Sequence, residues 1–241
     1  DYLITAGEGL DQVTWMDVRF EDILPTPRHG KPVEINAYWY NALKIMQNLY
    51  EILKKDSAFY KDLAEEVKQS FNLKFWNEKQ NCLKDVISGT NADYQIRCNQ
   101  IWAISMPFTM LEPEKEKQVV NTVFRHLYTP VGLRTLSPYD DEFKGFYGGE
   151  QKNRDLAYHQ GTVWPFPLGA YYLAYIKVYG EQGKQTVKNQ LKALIPALKE
   201  GCASQLPEVY DGENPTMSKG CFAQAWSVGE LLRVYEVLEQ N

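Results

Sequence analysis

Apolar residues return at intervals of three and four along most of this chain, whereas strict alternation is rare and short. The first period belongs to helices and the second to half-buried strands. The chain is therefore predicted to be all-α. After Pro32, the stripe Trp39, Leu43, Met46, Tyr50 and Leu53 marks one helix. Tyr60, Leu63, Val67 and Phe71 mark a second behind Ser57, a residue type suited to an N-cap, and the two are expected to pair as an antiparallel hairpin. Ile101, Ile104, Ser105 and Phe108 predict a third helix broken near Pro107; Val119, Val120, Val123 and Leu127 predict a fourth opening at Pro113-Glu114. Leu168, Tyr171, Tyr172 and Tyr175 run to Gly180, and Val187, Leu191, Leu194 and Leu198 run to Gly201, each glycine a suitable helix terminator. Ala225, Val228, Leu232, Tyr235 and Leu238 make a seventh helix.

Between these helices lie long stretches rich in Gly, Pro, Asp and Tyr, notably Tyr128 to Gln160 and Gly201 to Gly220. Structureless loops beyond about 12–15 residues are uncommon in compact domains and are usually functional or disordered. Their aromatic content favours function. Helical hairpins closed into a ring would gather such loops at one end. The 241 residues, 44 % of them hydrophobic, suffice for one sizeable core. A net charge of −5, without any run of like charges, gives no footprint for nucleic acid or an anionic membrane. Cys82, Cys98, Cys202 and Cys221 are far apart and only three His are present, so no metal framework is expected. The reading is of free thiols in a reducing compartment. The N-terminus has no basic stretch leading into an apolar run and no initiator Met, so the chain is expected to be a processed product or a piece of something longer.

Two carboxylates stand in chemically suggestive surroundings. Asp17 lies between an indole and a guanidinium in Trp15-Met16-Asp17-Val18-Arg19; the apolar neighbour raises a carboxyl pKa and the Arg lowers it. The plain alternative is that Asp17 pairs with Arg19 or caps a helix. Glu208 follows a proline in Leu206-Pro207-Glu208 on a long loop, where the plain alternative is a solvated side chain. Hydrolysis of a glycosidic bond needs two carboxyls on opposite sides of the anomeric carbon, and their distance in sequence is immaterial. Tyr158-His159-Gln160-Gly161-Thr162-Val163-Trp164-Pro165 offers hydrogen-bonding groups and a stacking face, although burial as a structural residue is the commoner fate of such a His. Glu34-Ile35-Asn36 with Trp39, and Asn99-Gln100 with Trp102, repeat the combination of polar groups and Trp at helix starts.

Taken in order, Thr14-Trp15-Met16-Asp17, the segment from Pro27 to Ala37, the segment from Tyr158 to Pro165, Leu206-Pro207-Glu208 and Ala223-Gln224-Ala225-Trp226-Ser227 resemble the motifs of the amylo-α-1,6-glucosidase domain of glycogen debranching enzymes. The resemblance runs across essentially the whole chain. It implies an (α/α)6 toroid of six helical hairpins, inversion at the anomeric carbon, Asp17 as general acid and Glu208 as general base. Seven helices are fewer than the twelve of such a toroid, so residues 1–241 are expected to be the C-terminal part of a catalytic domain, with the remaining N-terminal part of the parent chain as partner. Cys98 departs from the family pattern, where proline is commoner.

The implied activity is hydrolysis of α-1,6-linked glucosyl stubs on a branched α-glucan such as glycogen or limit dextrin, without metal or organic cofactor and in the cytoplasm. Expected sugar contacts are Trp15, Arg19, Glu34, Asn36, Trp39, Asn99, Gln100, Tyr158, His159, Gln160, Trp164 and Gln224. Two alternatives stay open. One is a different (α/α)6 glycosidase, trehalase-like or related to a processing α-glucosidase; the other is a non-catalytic glucan-binding module.

Overall fold

A computed structural model describes residues 1–200 and 203–240. Gly201 and Cys202 of the sequence reading lie outside them. An N-terminal segment leads into β1 (Lys31–Pro32) and then α1 (Val33–Ile52) and α2 (Ala58–Phe75), the expected hairpin. Pro32, extended at φ −68°, sets the start of α1, and Glu34 in the first turn complements the helix dipole. Ser57 holds the N-cap position of α2, but its hydroxyl turns to Glu51; Asp56 Oδ1 accepts the Ala58 N–H at 2.9 Å instead. Val67, Phe71 and Phe75 bury the inner face of α2, and the last two rings stack with centroids 4.6 Å apart. Each such ring contributes about 1.5–3 kcal/mol, and Phe71→Ala would cost about 3–5 kcal/mol.

Short strands follow: β2 (Trp76–Asn77), β3 (Cys82–Leu83), β4 (Val86–Ser88) and β5 (Asn91–Asp93). β2 pairs with β3, while β1, β4 and β5 form an antiparallel sheet with Pro32 opposite Val86. This register brings Asp85 to the start of α1, where its carbonyl accepts the Val33 N–H at 2.9 Å. A 3-10 turn, Cys98–Ile101, runs into α3 (Trp102–Ser105). α4 (Pro113–Leu127) opens at the expected proline, with Glu114 and Glu116 in its first turn and Arg125 and His126 in its last, both complementary to the dipole.

The stretch from Tyr128 to Gln160, read as irregular, contains β6 (Tyr128–Thr129), β7 (Gly132–Arg134) and α5 (Gln151–Ala157). β7 pairs with both β6 and β8 (Val163–Trp164). The fold is thus helix-rich but not purely α: among the described residues, three small antiparallel sheets brace the loops between helices. Strands of two or three residues are too short to alternate visibly. α6 (Pro167–Lys199) joins the two helices expected on either side of Gly180, which breaks the run at φ 57° and ψ −135° without a loop. α7 (Ala225–Glu239) packs against α6.

On α1, the side chains of Tyr38, Ile45, Leu49 and Ile52 are exposed at helical spacing, and on α7 so are Trp226, Leu232 and Tyr235. Among the described residues, no helix is long and apolar enough to cross a membrane.

Candidate active site

The loop before α1 carries Trp15 into the centre of an aromatic cluster. Its ring meets those of His159, Trp164 and Phe166 edge-on, with centroids 5.2, 5.4 and 4.8 Å away, and approaches Trp102 and Trp226 at 6.4 Å. Edge-to-face contacts of this kind suit the ring quadrupoles and hold the indole in place. Met16 is buried, whereas Asp17, one residue on, reaches the solvent. Its carboxylate makes no ion pair or side-chain hydrogen bond among the described residues, so the alternative of a pairing with the exposed Arg19 is not seen; the Gln12 amide donates to the Asp17 carbonyl. The protein behind it disfavours the charged form and raises its pKa above the usual carboxylate value.

Glu208 is fixed by both flanks. Tyr210 exchanges backbone hydrogen bonds with Val163 of β8, at 2.9 and 3.0 Å, and Val209 exchanges them with Lys219. Both carboxylate oxygens have donors: the Tyr158 hydroxyl on Oε1, and the Cys221 N–H on Oε2 at 2.6 Å. Gly220 allows the latter, because a Cβ there would stand 2.5 Å from Oε2, and its φ of +70° disfavours any side chain. Tyr158 is stacked on Tyr147, with centroids 5.5 Å apart. Burial pushes its hydroxyl pKa up, and the bond to Glu208 pushes it further, so Tyr158 remains a donor at neutral pH. The Tyr158 ring meets Trp164 with centroids 4.8 Å apart and Trp164 meets Trp15 at 5.4 Å, so the ring cluster connects the Glu208 side to the segment that bears Asp17. Tyr147 was missed in the sequence, where it is one of many loop tyrosines.

His159 is fully buried, stacked on Trp164, and neither ring nitrogen has a hydrogen-bond partner. Burial, then Arg97 and Arg28, pull its pKa down to about 3, so the ring is neutral. Trp164 is buried too, its indole N–H on the Tyr158 carbonyl at 3.0 Å. Several expected sugar contacts have their polar atoms engaged within the protein. Asn36 accepts the Ile4 N–H and donates to the Ile4 and Pro32 carbonyls. Gln100 bonds Leu83 and Arg97 backbone, and Gln160 bridges Arg97, the Pro25 carbonyl and Glu142. The Trp39 indole donates to the Tyr2 carbonyl at 3.0 Å. Gln224 sits at the N-cap of α7, half-buried, and its side-chain amide makes no hydrogen bond among the described residues.

Beneath the cluster runs a buried charge network that engages Glu34, expected as a sugar contact, with Arg28, Asp85 and Arg97, which the sequence reading did not single out. Arg28 donates to both oxygens of Glu34 and, through Nε at 2.7 Å, to Asp85; Arg97 Nε stands 3.9 Å from the same carboxylate. Arg28, Glu34 and Asp85 are at most 4 % exposed. An Asp, next to Lys84, between the apolar pairs Cys82-Leu83 and Val86-Ile87 was the available signal. Asn99 joins Asp85 to Trp15, donating to the former at 2.9 Å and accepting the indole N–H at 2.8 Å. Two cavities adjoin these groups. One of about 260 Å³ lies between Trp15, Tyr38, Trp102, Phe166 and Trp226, with Glu34 and Glu230 at its edge. The other, about 560 Å³, is polar and bordered by Thr26, Arg28, Asp93, Arg97 and Glu142.

Residues 1–233 match the family described as amylo-alpha-1,6-glucosidase. The chain belongs to this family. A glycogen debranching enzyme of Saccharomyces cerevisiae is 24 % identical over 216 residues, covering 72 % of this chain and 14 % of the yeast protein. A mannosyl-oligosaccharide glucosidase of the same yeast is 27 % identical over 172 residues, covering 62 % of this chain and 19 % of that protein. The fold is shared with a GH63 mannosylglycerate hydrolase from Thermus thermophilus, solved in complex with Tris (TM-score 0.60, 14 % identity) and covering 86 % of this chain and 45 % of that one. The same hydrolase in complex with glucose gives a TM-score of 0.61 at 14 % identity. The family member described here thus spans less than half the length of each of these proteins.

Proposed function

We propose that this chain carries the catalytic carboxylates of an inverting glycoside hydrolase that removes α-1,6-linked glucosyl stubs from a branched α-glucan. The observation that carries the reading is the ring cluster between the two carboxylates: Asp17, without a side-chain partner, follows Trp15, whose ring meets Trp164, and Trp164 meets Tyr158, whose hydroxyl is one of the two donors that hold Glu208. Asp17 protonates the leaving glycosidic oxygen while Glu208 takes a proton from the water that attacks the anomeric carbon from the opposite face. Trp15, Tyr158, Gln224 and Arg19 contact the sugar; Glu34, Asn36, Trp39, Asn99, Gln100, His159, Gln160 and Trp164 fix the groups around it. The exposed apolar stripes of α1 and α7 are covered by the rest of a longer parent chain, with which these residues complete an (α/α)6 toroid.

The test is glucose release from phosphorylase-limit dextrin by the full-length protein, with the product anomer followed by NMR. Asp17→Asn and Glu208→Gln keep the shapes and should each lower kcat by about 10²–10⁴-fold with little change in glucan binding. Retained activity in both variants would remove the pair from the mechanism. The likeness to a mannosyl-oligosaccharide glucosidase supports a second reading, a processing-type glucosidase. Faster release from a glucosyl-mannose substrate than from limit dextrin would favour it.

A further inference from the structure

We infer that Asp85 is a positioning residue for the Trp15-Met16-Asp17 segment, an inference that rests on the proposed acid role of Asp17. Asp85 is 2 % exposed and lies on the connection between β3 and β4, remote in sequence from either carboxylate. Its Oδ1 receives Asn99 Nδ2 at 2.9 Å, and the same amide nitrogen lies 3.5 Å from Met16 Sδ. Asn99 Oδ1 accepts the Trp15 indole N–H at 2.8 Å. Asn99 therefore grips the two residues that immediately precede Asp17. Its orientation is dictated by its neighbours: a carboxylate only accepts and an indole only donates, so one of the two amide orientations satisfies both and the flipped one satisfies neither.

Asp85 is itself locked by Arg28, through Nε at 2.7 Å and Nη2 at 3.1 Å, and Arg28 is locked by Glu34 at the start of α1. The chain of contacts runs from a helix terminus to the loop that bears the exposed Asp17 carboxylate. That carboxylate has no side-chain partner of its own among the described residues, so the two residues before it carry the task of aiming it. A neutral amide at position 85 presents both a donor and an acceptor, which releases Asn99 to flip and frees the Trp15 indole.

The experiment measures kcat and KM for glucose release from limit dextrin by the full-length protein and its Asp85→Asn, Asn99→Ala and Trp15→Phe variants, with both double variants that contain Trp15→Phe. Asn99→Ala leaves the Arg28 ion pairs in place, so it reads the link even if Asp85→Asn folds poorly. Each single change should lower kcat/KM by about tenfold, and each double should be no worse than its poorer single within about twofold, because one chain of contacts is being cut twice. Multiplying losses, or thermal destabilisation with kinetics intact, would overturn the assignment. Hydrogen exchange of the Trp15 indole, assigned by its loss in Trp15→Phe, provides a readout that needs no turnover. It should quicken at least about tenfold in Asp85→Asn and Asn99→Ala. Unchanged protection overturns the inference even if activity is present, whereas faster exchange in a protein that releases no glucose sustains the link and overturns the functional reading.

Discussion

His159 makes the stability of this protein depend on pH in a way that can be isolated. The ring is fully buried, both nitrogens lack partners, and its pKa falls from 6.5 to about 3. Between those values the unfolded chain binds a proton that the folded one refuses, so stability rises with pH across that window and is lost as pH falls through it. At pH 5, 1.5 units below the ordinary value of 6.5, the penalty is about 2 kcal/mol at 1.36 kcal/mol per unit; at pH 7.5 it is close to zero. His159→Phe keeps a ring against Trp164 and breaks no hydrogen bond, so its packing cost, about 1–3 kcal/mol at most, should be the same at every pH. Urea unfolding followed by circular dichroism at pH 5 and 7.5 measures both proteins. The wild type should lose about 2 kcal/mol more than the variant on acidification, equivalent to about 4–8 °C in Tm for a chain of this size. Parallel stability curves would refute the argument, because the carboxylates that also titrate are common to both.

Three further outcomes follow from the site. Because burial raises the Asp17 pKa and the proposed acid role requires the protonated form, the alkaline limb of kcat/KM should fall through a value above the ordinary carboxylate range; Asp17→Asn should abolish that limb. Gly220→Ala should lower kcat by at least about tenfold, since the methyl group would stand 2.5 Å from Glu208 Oε2 on a backbone at φ +70°, and an unchanged kcat would show that the carboxylate can shift freely. Arg28→Met should cost about 3–5 kcal/mol in urea unfolding by leaving Glu34 and Asp85 buried without their shared partner; a loss below about 1 kcal/mol would mean that water replaces the guanidinium.

The long helices were legible because their apolar spacing is a local property: α1, α2, α4 and α7 fall where their stripes lie, and α6 covers two expected helices. The small sheets were not, since pairs such as Pro32 with Val86 are contacts across distant sequence with no local period. The motif residues around Asp17 and Glu208 could be singled out, and the structure adds that the Tyr158 hydroxyl holds Glu208 while Trp15 sits in the ring cluster beside Tyr158 and Trp164. The division of labour could not be read. Asn36, Asn99 and Gln100 have the chemistry of sugar ligands, yet their amides are occupied by backbone and side-chain partners, a fact that only packing reveals. Asp85 and Arg28 were overlooked for the same reason, because a buried ion pair has no sequence period.

The backbone contact between Cys221 and Glu208 also has a use in chemical labelling. Cys82 and Cys98 are buried with their thiol pKa values pushed up by burial, to about 11 for Cys82, and thiolates are the form that reacts with alkylating reagents. Cys221, in contrast, is exposed, and its N–H holds Glu208 Oε2. With Cys202 replaced by Ser, a small fluorophore or fluorinated tag on the Cys221 sulfur would report from the loop that carries Glu208, the proposed base, and the order of the loop could be followed spectroscopically as a glucan is added.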